Sequence, residues 1–385
     1  MRICFFGTYT VSVGYPINRV LMKGLRQGGV VVRECRQELW GRFLYDMSSK
    51  PLRLAFVMLA APLRYAQLLW KYFNADDHDC VLVGYAGFID VLFARLANLG
   101  RRRFVILVAF ISLYDTVVVD RKRVRVGSIR AWMLRTIDRM AFKAADLVLV
   151  DTYENKRYFA GLTGVDCDKF VRSFVGEDDE EFALRNFQHI SNDQFNVLFF
   201  GTYVPLHGVD VIVDAAIRLR NDDTIKFTVI GNGQMYPEVR QKASENSLDN
   251  VLFIDEWIET SELVEHIART DICLGIFGTT QKAARVIPYK VFDAMAMKRP
   301  VITRDSPAIC ELLQDGESVI LTQPGSADSL AKAISMLRSD PDVARRIGEN
   351  GYRLYVENGS PKAIGQELIK ELRARNIDGD GAVHG

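Results

Sequence analysis

Two stretches of this chain join strand-like residues to a glycine-bearing loop, and the chemistry such a joint supports is the cradling of a phosphate. Phe5-Phe6-Gly7-Thr8-Tyr9 returns letter for letter as Phe199-Phe200-Gly201-Thr202-Tyr203, and Gly14 returns as Gly208 at the same offset of 194 residues. A strand that ends in such a loop and then enters a helix presents backbone N–H groups and a positive helix end to an anion. In the second copy His207 stands just before Gly208, where an imidazole is placed to meet a phosphate. A further turn, Gly231-Asn232-Gly233, closes another apolar run, and Ser112, Tyr114 and Asp115 follow a third. A carboxylate such as that of Asp115 is suited to accept a hydrogen bond from a ligand hydroxyl. Each residue has a plainer alternative: glycine as a shape requirement of a strand-helix joint, His207 as a capping or packing residue, Asp115 as the start of an Asx turn. The chain has no Ser-His-Asp order, no closely spaced cysteine pair and no helix with two histidines at metal-binding spacing, so neither a metal nor a resident cofactor is expected.

The elements that must position these loops follow from hydropathy. Strands are expected at 2–7, about 30–35, 80–84, 104–109 and 147–150, with helices at about 15–28, 87–99 and 128–144 between them. The stretch 41–73 reads as one or two amphipathic helices broken near Pro51 or Pro62. Order lapses between Gly176 and Phe195, where Glu177, Asp178, Asp179, Glu180 and Glu181 make an acidic run, and alternation restarts at 196–200. Strands at 226–230, 251–254, 272–275 and 300–303 follow, with helices at about 208–220, 235–246, 260–269 and 289–297. Strand-helix alternation implies parallel sheets, and a repeat half a chain apart implies two Rossmann-like halves. The expected fold is therefore α/β, two Rossmann-like domains facing each other across a cleft. The boundaries expected are 1–185 for the N-terminal domain and 190–358 for the C-terminal domain. A helix at 359–375 is expected to cross back to the first domain, and 376–385 to be a flexible tail.

Composition narrows the class. A length of 385 residues suits two domains, and 49% hydrophobic with 25% charged residues excludes a disordered or fibrous chain. The net charge of +1 conceals an asymmetry: residues 1–150 hold 23 Lys and Arg against 11 Asp and Glu, and the remainder holds 26 against 37. A basic first half suits a phosphorylated substrate, an anionic membrane surface, or simple attraction to the acidic second half. The six scattered cysteines read as reduced, the chain opens directly on a strand, and the longest apolar stretch is too short to span a bilayer. A cytoplasmic protein is expected, with peripheral attachment to the cytoplasmic membrane face open.

The most specific segment is Arg285-Val-Ile-Pro288-Tyr-Lys290-Val-Phe292-Asp293-Ala-Met-Ala296, ending in Arg299-Pro300 and a buried strand. It resembles the signature of retaining GT-B fold glycosyltransferases of family four, the glycosyl transferases group 1. The resemblance covers nearly the whole second half. In that family two glutamates eight residues apart flank the proline; the second corresponds to Asp293, which the resemblance assigns to the nucleotide ribose. The first contacts the transferred sugar and here falls on Arg285, a departure. The loop Gly201 to Asp210 is similar to the family's phosphate loop, whose arginine and lysine are here Thr202 and His207. Lys290, Arg285 or a helix N-terminus is the compensation the resemblance then requires. It also implies donor-binding places for Gly14, Tyr15, Gly208, Gly231, Gly233, Trp257 and Ile258, and makes Asp115, Arg285 and His207 the candidates for catalysis.

The activity so implied is transfer of a sugar from a nucleotide-diphosphate sugar to a glycan or lipid-linked acceptor, with retention and without metal, in cell-surface polysaccharide or glycolipid synthesis. No nucleic-acid partner is expected. Alternatives are a nucleotide-sugar epimerase of the same architecture and a non-catalytic relative with weakened donor binding. A nicotinamide oxidoreductase is disfavoured because neither loop has Gly-x-Gly-x-x-Gly spacing.

Overall fold

The structure, a computed structural model, describes residues 1–11, 16–39, 51–101, 103–183, 194–256 and 258–377, with the backbone alone for 51–58. Gly14, Tyr15, Trp257 and the tail from 378 lie outside the described residues. The chain divides into two units: Met1–Val118, Val124–Phe174 and Pro361–Gly385 form one, and Val119–Arg123 with Val175–Ser360 form the other.

The first unit is a six-stranded sheet in which β1 (Arg2–Gly7), β2 (Val31–Arg36), β3 (Cys80–Val83), β4 (Phe104–Val108), β5 (Leu147–Val150) and β6 (Phe170–Arg172) run parallel in the order β2-β1-β3-β4-β5-β6. Its central strands are apolar throughout because crossover helices cover such sheets on both faces. On one face Cys4, Phe6, Val81, Val83, Val105 and Leu107 form a core. That core is completed by α2 (Pro51–Phe73), α3 (Asp90–Ala97), α4 (Ile129–Ala144) and α5 (Tyr153–Thr163) through Tyr65, Leu68, Val91, Ala94, Phe142 and Phe159. Ile3 and Phe5, alternating with these, are buried toward the opposite face. Elsewhere in this unit α1 (Ile17–Gln27) packs along the final helix α12 (Pro361–Ala374), close enough that a Cβ on Gly24 would lie 1.9 Å from the Pro361 carbonyl oxygen.

Of the stretch expected to break near Pro51 or Pro62, residues 41–50 lie outside the described residues, and α2 begins at Pro51 and runs unbroken through Pro62. The proline removes one backbone donor at an exposed position. Tyr65, Leu68 and Tyr72 on the inner side are buried, and the Tyr72 hydroxyl donates to Asn98 Oδ1 at 2.7 Å. Inward anchoring of this kind offsets the lost bond.

The second unit repeats the architecture with β7 (Phe195–Phe200), β8 (Ile225–Ile230), β9 (Val251–Ile254), β10 (Ile272–Leu274), β11 (Val301–Arg304) and β12 (Ile320–Thr322), parallel in the order β12-β11-β10-β7-β8-β9. Between them run α6 (Val209–Arg218), α7 (Tyr236–Glu245), α8 (Thr260–Arg269) and α9 (Tyr289–Ala296), and after them α10 (Ala327–Ser339) and α11 (Pro341–Leu354). The division between units falls at Phe174/Val175, ahead of the acidic run and of the boundary expected between 185 and 190. The reason is hydrogen bonding: Glu177 N–H donates to Gly359 O at 3.1 Å, and the Tyr355 hydroxyl donates to Glu177 O at 3.0 Å.

Candidate functional site

Strand order locates the site of the second unit. From β7 the chain steps to β8 and β9 on one side and then returns to β10 on the other, so the direction of winding reverses between β7 and β10. The loops leaving the carboxyl ends of two such strands diverge and leave a crevice, which is where α/β sheets take ligands. The loop after β7 holds Gly201 to Gly208, and the one after β10 leads to α9 with Lys290 and Asp293.

The β7 loop is held open as a rigid arch. Gly201 N–H donates to Ile230 O at 3.0 Å, and Tyr203 N–H donates to Asn232 O at 3.0 Å. Gly231 and Gly233 thereby abut the backbones of Gly201 and Tyr203. Pro205–His207 form one turn of 3-10 helix, pinned where Phe277 N–H donates to His207 O at 2.9 Å and Gly278 N–H to Leu206 O at 3.2 Å. Gly208 then takes φ +64° at the start of α6, where a Cβ would lie 2.4 Å from Gly278 N. Only glycine fits that joint. No side chain caps α6, so its positive end remains open to an anion.

Two basic side chains are brought to this arch, Lys290 from outside it and His207 at its end. Lys290, in the first turn of α9, is buried, its Nζ has no hydrogen-bond partner, and it stands 4.4 Å from the Phe199 ring centroid. The same Nζ is 3.0 Å from where a Gly201 Cβ would be, and His207 Cε1 is 3.3 Å from that point. Burial pushes the Lys290 ammonium down to about 7, against the pull of Asp293. His207 Nδ1 meets the Thr202 carbonyl, which can only accept, so Nδ1 carries the proton and Nε2 is the ring's remaining polar atom. Loss of solvation, followed by the positive charge of Lys290, holds this imidazole well below its usual range. Thr202 itself is exposed and offers no charge.

The acidic side of the site is Asp293, one helical turn after Lys290. It is buried, its Oδ1 has no partner, and burial pushes it up to about 7 against a hydrogen bond from Glu177 and the charge of Lys290. Glu177 and Asp178 are themselves buried. No site role is expected of the acidic run from the sequence, because its lack of hydrophobic periodicity hides a carboxyl that reaches α9. Arg285 is buried at the end of the short turn Lys282–Ala284. Ile258 lies half-buried after β9, at the same sheet edge. Among the described residues no cluster of His, Cys, Asp and Glu has the arrangement of a metal site.

Asp115 belongs to the first unit. It begins the π-helical turn Asp115–Asp120 and is buried, and its N–H donates to Ser112 Oγ at 3.0 Å. Buried Asp138 organises this loop, accepting from Ser112 Oγ at 2.6 Å, Leu113 N–H at 2.9 Å and Tyr114 N–H at 3.0 Å. At the first unit's own reversal, between β1 and β3, Thr8 N–H donates to buried Asp90 at 2.7 Å.

Residues 194–340 match the family model of the glycosyl transferases group 1. Among curated relatives, the alpha-D-kanosaminyltransferase of Streptomyces kanamyceticus is 24% identical over 178 residues, 46% of this chain and 45% of that protein. The O-antigen chain mannosyltransferase C of Escherichia coli is 23% identical over 336 residues, 86% of this chain and 82% of that one. The match thus spans about half the length of the first of these relatives. Of solved structures, Anabaena HepE in complex with UDP superimposes with a TM-score of 0.71 at 16% identity, covering 97% of this chain and all of that one. Sucrose-phosphate synthase from Thermosynechococcus elongatus gives 0.71 at 15% identity, covering 97% of this chain and 99% of its own. These likenesses establish the fold, two Rossmann-like units. Over residues 194–340, within the second unit, the chain is similar to the glycosyl transferases, group 1.

Proposed function

We propose that the protein is a glycosyltransferase whose second unit holds a nucleotide-diphosphate sugar and delivers the sugar to a glycan or lipid-linked acceptor. The observation that carries this reading is the unpartnered, buried ammonium of Lys290 beside Gly201, next to the uncapped end of α6. A buried cation without a partner is costly, and a diphosphate supplies the missing charge and acceptors. HepE is a structural neighbour described with UDP and with UDP-glucose, which supports a nucleoside diphosphate as the leaving group.

In the reaction the acceptor hydroxyl attacks the anomeric carbon while the bond from that carbon to the diphosphate oxygen breaks. The electron pair leaves on the diphosphate, whose oxygen takes the acceptor's proton. Lys290 and the α6 N–H groups stabilise the developing negative charge, and the chain itself mainly positions two substrates. Asp293 accepts hydrogen bonds from ribose hydroxyls, and His207 offers Nε2 to the phosphate edge once protonated. Retention and independence from metal belong to this proposal through family resemblance, as does a place in polysaccharide or glycolipid synthesis. The test is incubation with a panel of nucleotide-diphosphate sugars and assay of released nucleoside diphosphate. One donor should be turned over by the wild type and not by Asp293→Ala, and release from none would refute the enzyme reading.

A further inference from the structure

The helix layer of the first unit carries an outward face that its core does not explain. Helix α4 buries Ala131, Asp138, Ala141 and Phe142. At 3.6 residues per turn the line opposite these runs through Ile129, Met133, Thr136 and Met140, with Trp132 beside it. That outermost line is ordinarily polar. Here Ile129 is 78% exposed, Trp132 65%, Met140 51% and Met133 50%. Helix α2, which packs on the same face of the sheet, repeats the pattern with Leu59, Leu63 and Trp70, exposed by 81, 64 and 67%.

Charge shows what this face would meet. Arg130 and Arg139 flank the α4 ridge, with Arg125 before it and Lys143 at its end, all exposed. In 59–75, 84–101 and 124–145 the only acidic residues are Asp90 and Asp138, and both are buried. An apolar-aromatic ridge bordered by arginines without acidic counterparts suits the headgroup boundary of an anionic bilayer. Tryptophan and aliphatic tips enter that boundary while guanidinium groups meet lipid phosphates. No helix among the described residues is long and apolar enough to cross a membrane, so the mode is interfacial.

We propose that the outer face of α2 and α4 docks on an anionic lipid surface, with Ile129, Trp132 and Met133 entering the boundary and Arg130 and Arg139 meeting headgroups. This rests on surface pattern and is independent of the donor reading. The full chain should co-sediment with vesicles containing phosphatidylglycerol, not with phosphatidylcholine alone, and salt should weaken the binding. Arg130→Glu and Arg139→Glu should each lower partitioning about tenfold. Trp132→Ser should weaken binding, and brominated lipid should quench wild-type fluorescence more than that of Trp132→Phe. All these sites are exposed, and unchanged melting curves will show that the variants fold. Absence of binding, equal binding by the charge variants, or loss of self-association in Trp132→Ser without any change in vesicle binding would overturn the proposal. The last result would assign the face to a second copy of the chain.

Discussion

Lys290 and Asp293 are buried one helical turn apart, and each is held near neutrality from the opposite side. Their linkage to stability therefore has two signs. For Lys290, lowered to about 7, the unfolded chain binds the proton more strongly between pH 7 and its ordinary value of about 10.4, so stability rises with pH there. For Asp293, raised to about 7, the folded chain holds the proton more strongly above the ordinary value of about 3.9, so stability falls as pH climbs to 7. The pair should impose a minimum in melting temperature near pH 7. The double variant Lys290→Met/Asp293→Asn should lack it, and a wild-type profile without that minimum would contradict the assignment. Residue roles were only partly legible beforehand. Thr202 and His207 stand where the resemblance expects cations, and only the fold shows Lys290 reaching Gly201 from another element. Glu177 was hidden because a buried hydrogen bond to Asp293 leaves no periodic trace in an acidic run.

Among the elements, the repeated five residues prove to occupy equivalent places, β1 and β7 with the loops that leave them. Each is the strand beside which its sheet reverses direction. Burial on both faces dictates the paired phenylalanines, and Tyr9 and Tyr203 are buried as well. The repeat and the strand-helix alternation were therefore readable in the sequence. The continuity of α2 through Pro62 was not, because local propensity opposes it and only the burial of Tyr65, Leu68 and Tyr72 decides. The joint at Gly208 gives a prediction at this scale. Gly208→Ala places a Cβ in the left-handed region and against the Gly278 backbone, a cost of roughly 2–3 kcal/mol. Urea denaturation should show that loss together with weakened nucleotide binding, and an unchanged midpoint would count against the rigid arch.

For the whole molecule, the chain's end is part of its beginning. Gly365 lies so close to Gly24 that a Cβ would be 2.2 Å from the Gly24 carbonyl carbon, and α12 belongs to the first unit as a result. Gly365→Val should loosen α12 from α1, and limited proteolysis should then cut near Ser360 far faster than in the wild type. Equal cleavage would show that this packing is not what retains the helix. The charge asymmetry has a local expression too, since α4 carries Arg130, Arg135, Arg139 and Lys143 against one acidic residue, the buried Asp138.

The claim on which the account turns is that Lys290 supplies the positive charge that the β7 loop lacks. The measurement is calorimetric titration of wild type and Lys290→Met with nucleoside diphosphates across pH 6 to 9. The wild type should bind one of them most tightly below pH 7 and more weakly as the ammonium loses its proton. The variant should bind roughly 10- to 100-fold more weakly, with the pH slope gone. Equal affinity in the two proteins, or no binding by the wild type, would contradict it.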